Sequence, residues 1–175
     1  FEAINHRNAI YYVEDIIKKV EPFSEWQIRN IHQLILKNID DDNAGRYRQQ
    51  NVLISGATNT PPDYTLLNDK MAHFVDWYNS ESSQLHPIER AAKVHSDFVG
   101  IHPFIDGNGR TSRLLMNLEL MKAGYPPCVI TVENRLAYYE ALDQWMAFGK
   151  TEAFNQLVAD AVLEGFKPYI VVLGI

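Results

Sequence analysis

Apolar residues recur along most of the chain at three- and four-residue steps, the spacing that lines one face of a helix. Over residues 2–20 they are Ile4, Ile10, Tyr11, Val13, Ile16, Ile17 and Val20. Pro22 closes the helix they predict. Ser24 followed three residues later by Gln27 has the form of a capping box. Behind it, Trp26, Ile28, Ile31, Leu34, Ile35 and Ile39 carry the next helix up to the polar residues 40–45. The pattern changes over 46–62. Val52-Leu53-Ile54-Ser55-Gly56 is a short β-prone run ahead of Thr60-Pro61-Pro62, and it reads as a small hairpin or flap. Helical spacing returns over about 66–79 through Met71, Phe74, Val75 and Tyr78. It continues over about 87–99, where Pro87 suits a first turn. After a polar loop, a helix is expected from about 109 to 123, stopped by Gly124 and Pro126-Pro127. Two more are expected at about 132–147 and 151–164. The expectation is a mainly α fold of about seven helices with a small β-hairpin flap, one domain spanning 1–175 without repeats or linkers.

Composition narrows the function classes. An apolar share of 46% over 175 residues is enough for a real core. A formal net charge of −6 disfavours general attraction to nucleic acid or anionic membrane, so any polyanion site must be local. The one cysteine, Cys128, excludes an internal disulfide and fits a reducing, cytoplasmic setting. No apolar run approaches the roughly 20 residues a membrane span needs. The chain opens on Phe1 rather than Met, so residues upstream are expected.

Residues 101–113 concentrate the chemistry: Ile-His-Pro-Phe-Ile-Asp-Gly-Asn-Gly-Arg-Thr-Ser-Arg. A Gly-Asn-Gly loop leads directly into an amphipathic helix. Glycines let backbone N–H groups approach an anion, and a helix start adds free donors and a positive dipole end. Arg110 and Arg113 are three apart and share a face, so two guanidinium forks flank the loop, as a di- or triphosphate requires. A carboxylate at Asp106 would repel phosphate unless a cation intervened. Mg²⁺ takes one or two carboxylates plus phosphate oxygens, which makes Asp106 the expected metal ligand. His102, with an ordinary pKa of about 6.5, is the expected general base. Taken singly, each residue has a plain structural reading as turn, cap or solvated face. Their conjunction within 12 residues makes a phosphate site the better reading of all of them together.

The same stretch resembles the signature of the Fic family, His-x-Phe-x-Asp/Glu-Gly-Asn-Gly-Arg-x-x-Arg. It supplies His102, Phe104, Asp106, Gly107, Asn108, Gly109, Arg110 and Arg113. Residues 91–98, 114–117 and 123–127 are similar to the family's flanking helices, and 46–62 to its target-docking flap. The resemblance implies protein adenylylation: AMP moves from ATP to a Ser, Thr or Tyr hydroxyl of a target protein. His102 would act as base and Asp106 would hold Mg²⁺. Gly107, Asn108 and Gly109 would form the anion hole, with the Asn108 side chain touching the phosphates. Arg110 and Arg113 would grip the outer phosphates, and Phe104 would be a buried anchor. Leu53, Ile54 and Ser55 are the flap edge that would clamp the target. Tyr138 and Tyr139 match positions near the nucleobase, although Gln144-Trp145-Met146 departs from the Asn-containing helix end of some relatives.

Many members are inhibited by a helix carrying Ser/Thr-x-x-x-Glu-Gly/Asn, whose Glu would pair with Arg113. No Glu here qualifies; Glu164-Gly165 comes nearest, with Asp160 at the Ser/Thr position. The resemblance therefore places the inhibitor in an upstream helix or a separate antitoxin. Two alternatives stand beside adenylylation. One is the same fold transferring another nucleotide or a phosphate group; both arginines argue against the phosphate case. The other is a non-catalytic nucleotide-binding regulatory module, against which His102 and Asp106 both speak. Pairing as a homodimer is left open. His95 reads as structural, and His6, His32, His73 and His86 have no motif context.

Overall fold

The computed structural model describes residues 1–19 and 21–174. Seven α-helices are formed among them: α1 (Glu2–Lys18), α2 (Glu25–Leu36), α3 (Leu67–Ser80), α4 (Pro87–Ile101), α5 (Asn108–Lys122), α6 (Arg135–Phe148) and α7 (Glu152–Leu173). Short 3-10 turns, Tyr64–Leu66 and Ser82–Gln84, precede α3 and α4. The expected end of the first helix, Val20, lies outside the described residues. At the start of α2 the Gln27 side chain returns to accept the Ser24 N–H at 3.0 Å, which satisfies one of the helix's orphan donors.

The helices α4 and α5 pair at the centre and are buried from two sides. Val94, Phe98, Leu114, Leu115 and Leu118 face a core shared with α1, α2 and α3. Ala91, Ala92, Val99, Met116 and Leu120 face a second core shared with α6 and α7, through Tyr138, Leu142, Phe154 and Val158. A helix that buries more than one face needs this doubled apolar pattern. The loop joining α4 to α5, residues 102–107, is therefore held between two packed cores. Farther along the pair, buried Glu119 forms an ion pair with Arg90 at 2.8 Å and accepts a hydrogen bond from the Tyr78 hydroxyl, tying α3, α4 and α5 together.

Three elements differ from the sequence-based expectation. The hairpin expected over 46–62 forms no strands among the described residues. The segment is a braced loop with one turn, in which the Ala57 N–H donates to Ile54 O at 3.1 Å. Two lone strands are marginal in water, and here the main chain is held to neighbouring elements instead: the Arg48 N–H donates to Pro103 O at 2.9 Å, and the Thr58 N–H to the Asp143 carboxylate at 2.6 Å. The helix expected to end near 164 continues to Leu173. Gly165 lies inside it, where a side chain would meet Pro126 and Pro127 at 3.3 Å, so α7 approaches that segment closely. The second helix stops at Leu36 rather than Ile39, because Asn38 adopts a left-handed conformation with φ 59°. No helix among the described residues is long and apolar enough to cross a membrane.

Candidate active site

The helix α4 ends in an unusual backbone conformation. His102, the residue after its last turn, is left-handed at φ 51° and is followed by Pro103. Outside glycine this conformation is uncommon and is kept where the surroundings enforce it. Its ring Nδ1 lies 3.2 Å from Val99 O. A carbonyl can only accept, so Nδ1 carries the proton and Nε2 keeps its lone pair. Burial holds the imidazole pKa below its ordinary value, with the Val99 hydrogen bond and Asp106 opposing that shift in part. The ring is therefore neutral at pH 7, with the tautomer that a base needs.

Arg48 enforces this backbone, and the sequence did not single it out. Its side chain is buried, and its guanidinium donates to three carbonyls: Nε to His102 at 2.9 Å, one terminal nitrogen to Gln50 at 2.9 Å and the other to Pro62 at 2.6 Å. It clamps the His102 main chain to both ends of the 48–62 segment.

The loop beyond His102 rests on a stack. Phe104 is fully buried and lies 3.5 Å from the His32 ring at an interplanar angle of 3°. The Gly45 N–H donates to His32 Nδ1 at 2.9 Å, so Nε2 bears the proton and donates to Asp106 O at 2.8 Å. His32, without motif context in the sequence, is thus a positioning residue for the loop. Gly107 is left-handed at φ 78°, and an added Cβ would sit 3.1 Å from the His32 ring. Gly107→Ala is expected to destabilise the protein by about 1–3 kcal/mol and to displace the loop. Gly124→Ala, at φ 82° with open space around it, carries the strain without the collision. Urea unfolding of the two variants should rank Gly107→Ala as clearly the costlier.

The start of α5 carries backbone donors without intrahelical partners. Its first helical bond runs from the Thr111 N–H to Gly107 O at 2.9 Å, so Asn108, Gly109 and Arg110 precede any intrahelical acceptor. The Gly107 N–H donates to Asp106 Oδ1 at 2.6 Å, which moves the donor set one residue along from the expected Gly107–Gly109. The Asn108 side chain, expected to touch the phosphates, is engaged within the loop. It donates to Phe104 O at 2.8 Å and accepts from the Phe104 N–H at 3.0 Å, bracing the loop and leaving only its main chain for an anion.

The charged residues take separate places. Asp106 Oδ2 pairs with Arg110 at 2.9 Å, and Arg110 also pairs with Glu2 of α1 at 2.8 Å. Arg113 lies beside Gly109, 3.4 Å from where a Cβ would stand, and lines a cavity of about 260 Å³ with Ile130, Val132, Arg135, Tyr138 and Tyr139. Tyr138 is buried and Tyr139 exposed. Burial raises the Tyr138 phenol pKa, an effect Arg113 partly offsets. His95, expected to be structural, is fully buried beneath this corner, with Nε2 3.0 Å from the Tyr138 hydroxyl and 3.2 Å from Ser112. Leu53 is 82% exposed and Ser55 is exposed, with Ile54 half-buried between them.

Both buried histidines make stability depend on pH. Burial depresses His32 from 6.5 to about 4 and His95 to about 3. A folded pKa below the unfolded one gives stability that is complete above pH 6.5 and lost as pH falls towards 4 and then 3. The His32 share is on the order of 3 kcal/mol. Unfolding free energies measured in urea should fall steadily from pH 6.5 to 4; a level profile over that range contradicts the assignment.

A helical core, a left-handed histidine after α4 and an amide-rich helix start bearing two arginines make up the candidate site. The chain belongs to the Fic/DOC family, whose model matches residues 22–120. It is 40% identical over 164 residues to a protein adenylyltransferase Fic of Drosophila willistoni, covering 93% of this chain and 32% of that protein. It is 45% identical over 116 residues to the protein adenylyltransferase fic-1 of Caenorhabditis briggsae, covering 66% and 22%. The solved structure of residues 134–508 of Fic-1 from C. elegans superposes with a TM-score of 0.87 at 34% identity, over 99% of this chain and 51% of that one. The chain thus spans about a third or less of the length of these curated relatives.

Proposed function

We propose that this chain transfers AMP from ATP to a Ser, Thr or Tyr hydroxyl of a target protein. The observation that carries the reading is the His102 ring: neutral, with Nδ1 fixed on Val99 O, set immediately before the amides and cations of the α5 start. The two relatives named as protein adenylyltransferases support the same reaction.

In this reading His102 Nε2 takes the proton of the acceptor hydroxyl, whose oxygen bonds to the α-phosphorus as the bond to the β-phosphate oxygen breaks. Pyrophosphate leaves with the electron pair. The Asn108, Gly109 and Arg110 N–H groups and the Arg110 and Arg113 guanidiniums neutralise the charge that spreads over the phosphates. Transfers of this kind depend mostly on such positioning and charge matching. Tyr138 and Tyr139 line the place for the nucleobase. No three His, Cys, Asp or Glu side chains cluster to hold a metal among the described residues. That suits Mg²⁺, which binds one carboxylate and otherwise phosphates and water; the two-thirds exposed Asp106 carboxylate fits as that ligand. Bound there, the ion would draw charge from the phosphate oxygens.

Leu53, Ile54 and Ser55 offer backbone that an extended target segment can pair with, largely without regard to its sequence. We assign inhibition to a helix upstream or in a separate antitoxin. It would lie in the 330 Å³ groove between α1, α5 and residues 127–130, which ends at Arg113. The unpaired, buried Cys128 suits the cytoplasm.

Incubation with ATP, GTP, CTP or UTP labelled at the α-phosphate, followed by mass spectrometry of the modified protein, tests this reading. AMP should be the adduct, and EDTA should abolish it. Transfer of the γ-phosphate, or none with any nucleotide, would overturn the proposal.

A further inference from the structure

A cavity of about 530 Å³ lies between α3, α4, the C-terminal end of α6 and residues 59–62. Its size is within the range of about 300–1,000 Å³ typical of ligand pockets. It shares no lining residue with the cavity beside Arg113. Its walls are rich in aromatic side chains: Phe74 and Trp77 from α3 and Trp145 from α6, with the Met146 thioether beside them. The walls are pinned from behind. The Lys93 ammonium lies 4.8 Å from the Trp77 ring and 2.6 Å from Asp97, and Trp145 packs edge-on against Phe154. Space exists because α4 contributes Ser96 and, one turn later, Gly100. The Ser96 hydroxyl is fully buried and has no hydrogen-bond partner among the described residues. A buried hydroxyl is normally paired, so this one points to a group supplied from outside.

The cavity adjoins the base. Ile101, in its wall, precedes His102 in the chain. Arg48 binds His102 O at 2.9 Å with one nitrogen and the rim residue Pro62 at 2.6 Å with another, so a single guanidinium separates the two. The rim residues Asn59, Thr60 and Pro62 continue the segment that would clamp the target.

We propose that this cavity holds a tyrosine or tryptophan side chain of the target protein, a few residues along its chain from the acceptor hydroxyl. The proposal rests on the protein-modifying reading above. Aromatic side chains pack favourably on indoles and on thioethers. A phenol or indole N–H adds the polar tip that Ser96 lacks, whereas a leucine or phenylalanine leaves that hydroxyl unpaired. Specificity of this kind complements a main-chain clamp that is indifferent to sequence.

Two experiments test it. In the first, N-acetyl-tyrosinamide is titrated into the whole chain while the indole N–H resonances of Trp26, Trp77 and Trp145 are followed by NMR. Saturable shifts are expected at Trp77 and Trp145, with the exposed Trp26 of α2 unmoved. N-acetyl-leucinamide should bind at least fivefold more weakly, and ATP should leave the shifts unchanged. Gly100→Leu fills the cavity from α4, where a Cβ meets only Met146, at 3.6 Å; Met146→Trp fills it from α6. Both variants should keep the wild-type melting temperature and lose the shifts. No saturable shift overturns the proposal, and shifts displaced by ATP reassign the cavity to the nucleotide.

In the second, serine acceptor peptides carry a tyrosine at each flanking position in turn. At one offset KM should fall at least tenfold relative to alanine, and Gly100→Leu should abolish that difference without slowing self-modification. Equal KM at every offset overturns the proposal. If wild type modifies no peptide and not itself, the transfer reading fails instead, and the titration still decides the cavity.

Discussion

His102→Ala is expected to reduce AMP transfer by a factor of about 10²–10⁴ while ATP binding stays near the wild-type value. The separation follows from the geometry. The imidazole contributes an unprotonated Nε2, with Nδ1 engaged at Val99 O, and it makes none of the contacts assigned to phosphate. Those belong to the amides of the α5 start and to Arg110 and Arg113. Removing the ring leaves Arg48 bonded to the residue-102 carbonyl, because that bond uses main chain. The loop therefore stays in place and only proton removal is lost. Calorimetric titration of the variant with ATP, alongside labelling with α-labelled ATP, reads the two quantities separately. Loss of binding together with transfer would place His102 in the nucleotide site rather than beside the acceptor.

Arg48→Met is expected to be the most damaging substitution outside the motif. It strips the carbonyls of His102, Gln50 and Pro62 of one shared cationic donor. Hydrogen bonds to charged groups are worth about 1.5–3 kcal/mol each, and coupled ones do not add fully, so a loss of about 3–5 kcal/mol is expected. The kinetic effect should be as large. Among the described residues the left-handed backbone at His102 has no other side-chain clamp, and misplacement by about 1 Å can cost a hundredfold in rate. Arg48→Lys keeps the charge but cannot reach three acceptors with a planar fork, so it should recover little. Melting curves and initial rates of both variants check this. Wild-type rates in Arg48→Met would show that His102 holds its position without the clamp.

The helices were legible because each carries its apolar residues at helical spacing, and the loop after α4 because its chemistry is contiguous. Phe104 is the buried anchor that the resemblance implied. What escaped the sequence acts across distance. Arg48 lies 54 residues from the carbonyl it holds, in a stretch whose β-prone residues suggested pairing with each other rather than with Pro103 and Asp143. His32 left a faint signal: an ionisable side chain on the apolar stripe of α2, four residues after Ile28 and three before Ile35. A polar group on that stripe must find partners inside, and it found Gly45 and Asp106. The bracing by Asn108 was hidden in the sequence for a related reason. Beside two glycines its amide looks available to a ligand, but a left-handed residue and a proline upstream bring Phe104 back within reach of both its polar atoms.

In the proposed function, the loop after Phe104 and the start of α5 seat a metal-bound triphosphate beside His102. A crystal structure of the chain with Mg²⁺ and a non-hydrolysable ATP analogue tests it directly. Phosphate oxygens are expected on the Asn108, Gly109 and Arg110 amides, the metal on Asp106, and His102 Nε2 facing the α-phosphate from the flap side. Phosphates bound away from the α5 start, or an Nε2 turned from the α-phosphate, would contradict it.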